Sequence, residues 1–447
     1  MSATTTSYDA DAKSLAEQMT IDNNSNIGTE TSHETLSDWI DTDSSSDNDE
    51  EARELYNNIH YHPVNLVAFE RLHNQTPIYS RSLLLQIRRQ QQTILHETRL
   101  PKAESTVQHL TWQSPDGQIT RVWKKDPKQK KQEPIGRVKV HYMPRVAFDR
   151  GFQRKYGSLV DLISSLREYK NGDAAIKSGR VEQMHFDAPY ALSTVSQWKE
   201  VEHRDAELMQ RYRDAIARSW EFWENSDTCR RFTKTIEYIK ATSPPVKRIV
   251  CFGLGEVKLN WIYDVVFQHI FVFSIAKTLN KCYEETGKKQ GKIQILLQES
   301  CYEKRDWTLF SELHQAMGCE ASSEIQFVDD PDGLLAIDSN TMIVAPHLPI
   351  RFPWPQIVAD LFAAGSGPAV IIGDHLVAKR EKEAFTLSDR GSPAVARFLS
   401  DRYVRLQRGS EGDKHKLDLP AEMAECTREA VDWFSRMDLY VRRREDA

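Results

Sequence analysis

Residues 247–281, KRIVCFGLGEVKLNWIYDVVFQHIFVFSIAKTLNK, constrain this chain more than any other stretch. An apolar run over 249–252 stops at Gly253 and Gly255, and a long apolar helical pattern follows. A buried strand, a tight glycine turn and a helix folded back on the strand open a doubly wound α/β sheet, often around a phosphate-bearing ligand. The region that follows repeats the alternation. KIQILLQ (292–298), EIQFV (324–328), MIVAP (342–346) and AVIIG (369–373) read as strands two to five, with helical patterns at 261–283, 307–317 and 353–364. Strands this apolar, without alternation, belong to a parallel sheet covered on both faces. Right-handed crossovers then set the order 3-2-1-4-5. The expected fold is therefore α/β, with a Rossmann-like parallel five-stranded sheet over 244–380.

The flanks read differently. Residues 1–54 carry 14 acidic and 2 basic residues, so the remaining chain is net basic although the whole is at -6. That composition predicts a disordered acidic tail, either a partner-binding arm or a solvating segment. Residues 55–243 read as a mostly helical region, with a small hairpin near 109–124 around Pro115-Asp116-Gly117. A long amphipathic pattern over 195–240 breaks at 225–227, where Ser226 or Asp227 suits a helix cap. The final 381–447 reads as a helical extension, in which Ser392-Pro393 opens one helix and Met423, Ala430, Trp433, Met437 and Val441 share a side of another. Six irregularly spaced cysteines with no CxxC pair point to reduced thiols, hence to a cytoplasmic or nuclear protein without a zinc site. The most apolar window, 265–276, is too short for a bilayer. The basic cluster Arg121, Lys124, Lys125, Lys128, Lys130 and Lys131 is interrupted by Asp126, which favours a solvated loop over a nucleic-acid footprint.

Ligands of doubly wound sheets sit beyond the carboxyl ends of the strands, at the switch in strand order. Strand one places Gly253, Gly255 and Glu256 there, and strand two places Glu299. The glycines suit close approach of a ligand to backbone N–H groups, and an acid after strand two suits ribose hydroxyls. Lys258 stands where a dinucleotide fingerprint needs a third glycine, and Glu299 lies 46 residues after Gly253 rather than about 20. The turn is equally explained by packing of the helix on the sheet. His347 after strand four, with Asp374 and His375 after strand five, are the candidate catalytic residues, as acid/base groups rather than as the metal ligands that two histidines and a carboxylate could also form. No metal is expected. The cofactor question stays open between a nucleotide, S-adenosylmethionine and an unoccupied pocket.

CFGLGEV, the long helix after it, TMIVAPHLP and AVIIGDH resemble the blocks of the sensitivity-to-red-light-reduced (SRR-like) family, and the helical lead-in with Trp220 and Ser226 fits them. The resemblance spans roughly 215–376. It departs from the family pattern at Gln298-Glu299-Ser300, where a Tyr-Asp-Pro-like step is usual, at Leu348, where cysteine is common, and at Asp374, where Asn is frequent. The resemblance implies a regulatory role in light or circadian-type control and assigns no reaction.

Three functions follow for comparison. A regulatory protein with the sheet as scaffold or nucleotide sensor, more a non-enzyme than an enzyme, fits the resemblance and the incomplete fingerprint. It would meet protein partners through the acidic tail or the helical region. An S-adenosylmethionine-dependent methyltransferase fits the glycine turn and Glu299, but its sheet carries a further hairpin strand for which residues 380–420 offer little. A nucleic-acid binder would rest on 121–131 alone.

Overall fold

The computed structural model describes residues 61–72, 76–100, 106–115, 117–125, 135–148, 188–196, 206–258, 262–287, 291–346, 348–349, 352–374, 376, 381–407, 423 and 437–443. The expected tail over 1–54 and the loop at 126–131 lie outside them. The N-terminal part begins with a two-residue strand, β1 (Val64–Asn65), and helix α1 (Leu66–Leu72). Helix α2 (Arg81–Arg99) starts where the Ser80 side chain accepts a hydrogen bond from Leu83 N at 3.2 Å. Leu83, Leu84, Ile87, Gln91 and Ile94 recur at helical spacing and form its buried face. Two antiparallel ribbons follow, β2 (His109–Gln113) with β3 (Ile119–Lys124), and β4 (Ile135–Tyr142) with β5 (Tyr190–Ser196). The first is the expected hairpin. In the second, β4 covers the β-forming run RVKVHY and pairs with β5, about 50 residues further along the chain.

Helices α3 (Ala206–Asn225) and α4 (Asp227–Thr242) meet at Ser226, whose side chain accepts from Cys229 N at 3.0 Å. Strand β6 (Arg248–Phe252) then leads to α5 (Ile262–Glu285), and β7 (Ile293–Gln298) to α6 (Lys304–Ala316). Next come β8 (Ser323–Val328), α7 (Asp332–Ala336), β9 (Thr341–Ala345), α8 (Trp354–Leu361) and β10 (Val370–Gly373). The chain closes with β11 (Ala384–Phe385), α9 (Pro393–Arg402), β12 (Tyr403–Gln407) and β13 (Asp438–Arg442).

The result is a mixed α/β fold whose main sheet has seven strands, not five, in the order β12-β13-β10-β9-β6-β7-β8. The pairs β10–β9, β9–β6, β6–β7 and β7–β8 are parallel, and β13 runs antiparallel to both β10 and β12. Among the described residues, the C-terminal segment is thus corrected from a helical extension: it holds one α-helix, α9, with β12 and β13 in the main sheet and β11 paired with β1, while most of the second expected helix lies outside the described residues. Val441, read as part of a helix face, pairs with Val370. Strands of five residues carry too few alternations to separate from a helical pattern when charged residues surround them. The expected cap at Ser392 is present, accepting from Val395 N at 3.2 Å. Its hydroxyl also donates to Gln356. Ser392→Ala is expected to lower stability by about 1 kcal/mol, read as a shift in the urea midpoint.

Successive residues of β6 face opposite layers. Ile249 and Cys251 join a cluster with α3, α4, α5 and α6, whereas Val250 and Phe252 join one with α2, the β4–β5 ribbon, α8 and α9. The N-terminal elements therefore supply one covering layer of the sheet. Helix α5 is buried almost all round and has the length and apolar composition to cross a membrane, but 83% of that window is buried in this core. Glu70 and Arg145 lock the N-terminal elements to the rest. Arg145 donates to Glu70 at 2.5 Å and lies 3.7 Å from Asp360, and all three side chains are buried. Asp360 in turn accepts from Ile78 N and Tyr79 N at 2.9 and 3.1 Å. Glu70 accepts from Ala394 N and Arg397 at 3.0 and 2.7 Å.

Candidate functional site

The carboxyl ends of β6 and β9 meet at the glycine turn. Gly253 and Gly255 have φ of 69° and 83°, left-handed values that favour glycine at both positions. A Cβ on Gly253 would stand 2.3 Å from Leu348 Cδ2, and one on Gly255 3.0 Å from Val265 Cγ2. The space each glycine leaves open is filled by a side chain of this protein, one from the β9 exit and one from the first turn of α5. Gly373 at the end of β10 behaves likewise, its missing Cβ 2.7 Å from Trp354 Cζ2. Phe352 extends this wall, with its ring centroid 6.3 Å from Phe252 and 5.6 Å from Tyr142.

Glu256 forms an ion pair with Lys258, so the lysine that replaces a third glycine is engaged by the adjacent acid. The loop beyond is fastened by Asp306, a fully buried residue that accepts from Val257 N at 2.8 Å and Glu303 N at 2.7 Å. Burial raises the Asp306 pKa, and the two backbone donors and Arg305 oppose that rise. Glu299 lies beside Cys301, as does Glu256. Burial first, then these two carboxylates, push the Cys301 thiol well above its usual range. The structure thus gathers Glu256 and Glu299 with two residues the motif reading omitted, Cys301 and Asp306. Glu303 and Asp306 cap α6 reciprocally, a capping-box geometry made by Glu and Asp rather than by the Ser/Thr and Glu/Gln that mark it in a sequence.

Asp374 stands apart from this group, after β10, and is ion-paired to Arg390, both side chains being largely buried. His347 and His375 lie outside the described residues. Among the described residues no group of three or more His, Cys, Asp or Glu side chains is placed to hold a metal ion. His269 is a core residue. Tyr302 OH bonds its Nε2 at 2.8 Å, its Nδ1 bonds Val265 O at 2.8 Å, and burial lowers its pKa to about 3.

The β4–β5 ribbon reaches the loops beyond β7 and β8. Arg137 Nη1 donates to Ser300 O at 2.9 Å, and Tyr142 OH donates to Asp330 Oδ1 at 2.7 Å. Asp330 is partly exposed as a residue, and desolvation raises its pKa to about 7 against the opposing Tyr142 bond. Gln298 holds the start of α7, its Oε1 accepting from Gly333 N at 2.8 Å. Chemically, the turn offers two carboxylates and a hydrogen-bonded Asp–Tyr pair around an apolar wall.

Residues 228–439 match the family model of the SRR1 domain. The match starts after Trp220 and Ser226, later than the resemblance over roughly 215–376, and extends beyond it at the other end to take in β12 and the start of β13. No curated protein and no solved structure matches the chain.

Proposed function

We infer that this chain, which carries an SRR1 domain over residues 228–439, is a regulatory protein of light or circadian-type control whose Rossmann-like core acts as a scaffold for protein partners. The observation that supports this reading is the occupation of the glycine turn: Leu348 and Val265 fill the space beside Gly253 and Gly255. A pyrophosphate needs that close approach to the turn, and here the chain's own side chains take it. Partners are met through the acidic N-terminal segment or the N-terminal helices, in the cytoplasm or the nucleus.

A second reading, an S-adenosylmethionine-dependent methyltransferase, is favoured by one observation. The antiparallel β13 lies between β10 and β12, and so supplies the additional hairpin strand such a sheet carries. Glu256 and Glu299 then stand where a nucleoside ligand's hydroxyls would be held. Calorimetry of the purified chain with S-adenosylmethionine, NAD and ATP separates the two. The scaffold reading expects no affinity tighter than about 1 mM for any of them, equivalent to roughly 4 kcal/mol. Micromolar binding of S-adenosylmethionine that Gly255→Trp abolishes, in a variant with unchanged circular dichroism, would replace it with the second reading.

A further inference from the structure

The seven-stranded sheet ends in β12 on one side and β8 on the other, and the two edges are built differently. β12 has a shift of register between Arg405 and Gln407 and an exposed charge at Arg405. Bulges and charges of this kind keep an edge strand from pairing with another chain. β8, Ser-Glu-Ile-Gln-Phe-Val, has no proline, lysine or arginine, and its register with β7 is unbroken from Ser323 to Val328. Among the described residues no strand pairs with its outer side.

Ile293 N donates to Ser322 O at 3.0 Å, so the backbone of Ser322 faces β7. Backbone groups alternate in direction along a strand. Those of Glu324, Gln326 and Val328 therefore face β7 as well, and those of Ser323, Ile325 and Phe327 face outward. Ser323 N is already bound to Cys319 O at 2.8 Å. The edge thus presents the N–H and C=O of Ile325 and Phe327. The side chains of these two residues lie on the α6 side, partly buried against the core. Trp307 of α6 is 46% exposed, with its ring centroid 6.0 Å from that of Phe327. Glu324 and Gln326, on the other face of the strand, are exposed.

We propose that β8 is a dimer interface, in which two copies of this chain pair their β8 strands antiparallel about a two-fold axis at Gln326 and join their sheets into one. Residues directly opposite in an antiparallel pair share a face. An axis perpendicular to the sheet keeps like faces together, so it passes through a residue and not between two. With the axis at Gln326, Ile325 lies opposite the partner's Phe327, a pairing of β-branched and aromatic side chains that favours association. The outward N–H and C=O groups of Ile325 and Phe327 then bond those of the partner reciprocally. Glu324, the one charged residue of the strand, meets the partner's Val328 and no second carboxylate. With the axis at Ile325, Ser323 would have to share the pairing, and its N–H is already taken. The edge is thus complementary to itself in apolar pairs, backbone groups and charge, which favours a second copy over an unrelated extended segment.

Sedimentation equilibrium of the full chain at micromolar concentration tests the interface. The wild type is expected to be dimeric. Gln326 faces its own copy across the axis, at a Cα separation of about 4.5 Å for a non-hydrogen-bonded pair. Gln326→Lys and Gln326→Glu each set like charges against one another there, and each is expected to weaken association by about fivefold or more. An equimolar mixture of the two variants is expected to restore it. Position 326 is exposed and its N–H still faces β7, so the circular dichroism of both variants is expected to match the wild type. A monomeric wild type would overturn the proposal and leave the edge to an extended segment of another protein. Dimers indifferent to both substitutions, or a mixture no tighter than its components, would also overturn it. A tighter Gln326→Lys dimer would overturn the register, because an axis at Ile325 brings that lysine opposite the partner's Glu324.

Discussion

Arg145→Ala is expected to destabilise the protein by about 3–5 kcal/mol, a large part of what a single-domain fold has to lose. Arg145 sits between Glu70 and Asp360 with every side chain of the trio almost wholly shielded from water. Removing the cation leaves two carboxylates facing each other in a low-dielectric site. Glu70 retains Arg397, which is 41% exposed and contributes correspondingly less. Asp360 retains the amides of Ile78 and Tyr79 and the Gln356 side chain. Burial already raises the Asp360 pKa, with Arg145 the largest opposing influence. Without the arginine that pKa rises further. A folded-state pKa above the unfolded one stabilises below the unfolded value, and that stability is lost as pH rises through the folded value. The Arg145→Ala deficit is therefore expected to be larger at pH 8 than at pH 5, measured by urea unfolding at both. A loss below about 1 kcal/mol, or no dependence on pH, would show that the trio does not carry the docking of the N-terminal elements.

That trio also marks where reading the sequence stops. Runs such as IVCF and MIVA announce their strands because a sheet buried on both faces needs continuous apolar residues. Ser226 and Ser392 announce helix starts because a side-chain oxygen there satisfies an otherwise free amide. Both signals are local. β12 and β13 are just as short but lie in a charged setting, and what makes them strands is pairing across more than 30 residues and against β10. Glu70 and Asp360, joined through Arg145, lie 290 positions apart and Tyr142 and Asp330 188, and neither pair has any local pattern. At the site, Gly253, Gly255, Glu256 and Glu299 were legible as strand ends. Their use was not, since whether a glycine makes room for a ligand or for Leu348 is decided by what the β9 exit brings over it.

Gly253→Ala is the substitution that separates these uses. Its backbone, at φ 69°, disfavours any L-residue by about 1–2 kcal/mol. The new methyl would also meet Leu348 Cδ2 at 2.3 Å, and such overpacking costs about 1–3 kcal/mol more. Leu348→Ala alone removes a buried side chain and is expected to cost about 2–5 kcal/mol. The two losses share an atomic contact, so they cannot add. In the double variant the alanine methyl occupies part of the cavity left by Leu348, and the combined loss is expected to fall short of the sum by about 1–2 kcal/mol. The backbone cost remains, because no change at position 348 alters φ at 253. Chemical denaturation of the four proteins measures the coupling directly, and additive losses would mean that Leu348 does not seat on the turn. A coupling of that size makes the first glycine of the motif a packing position, conditioned by the residue after Pro346-His347. The two blocks at 251–257 and 341–349 are then halves of one contact, and the same glycine signature without a large side chain at position 348 would leave the turn open to a ligand.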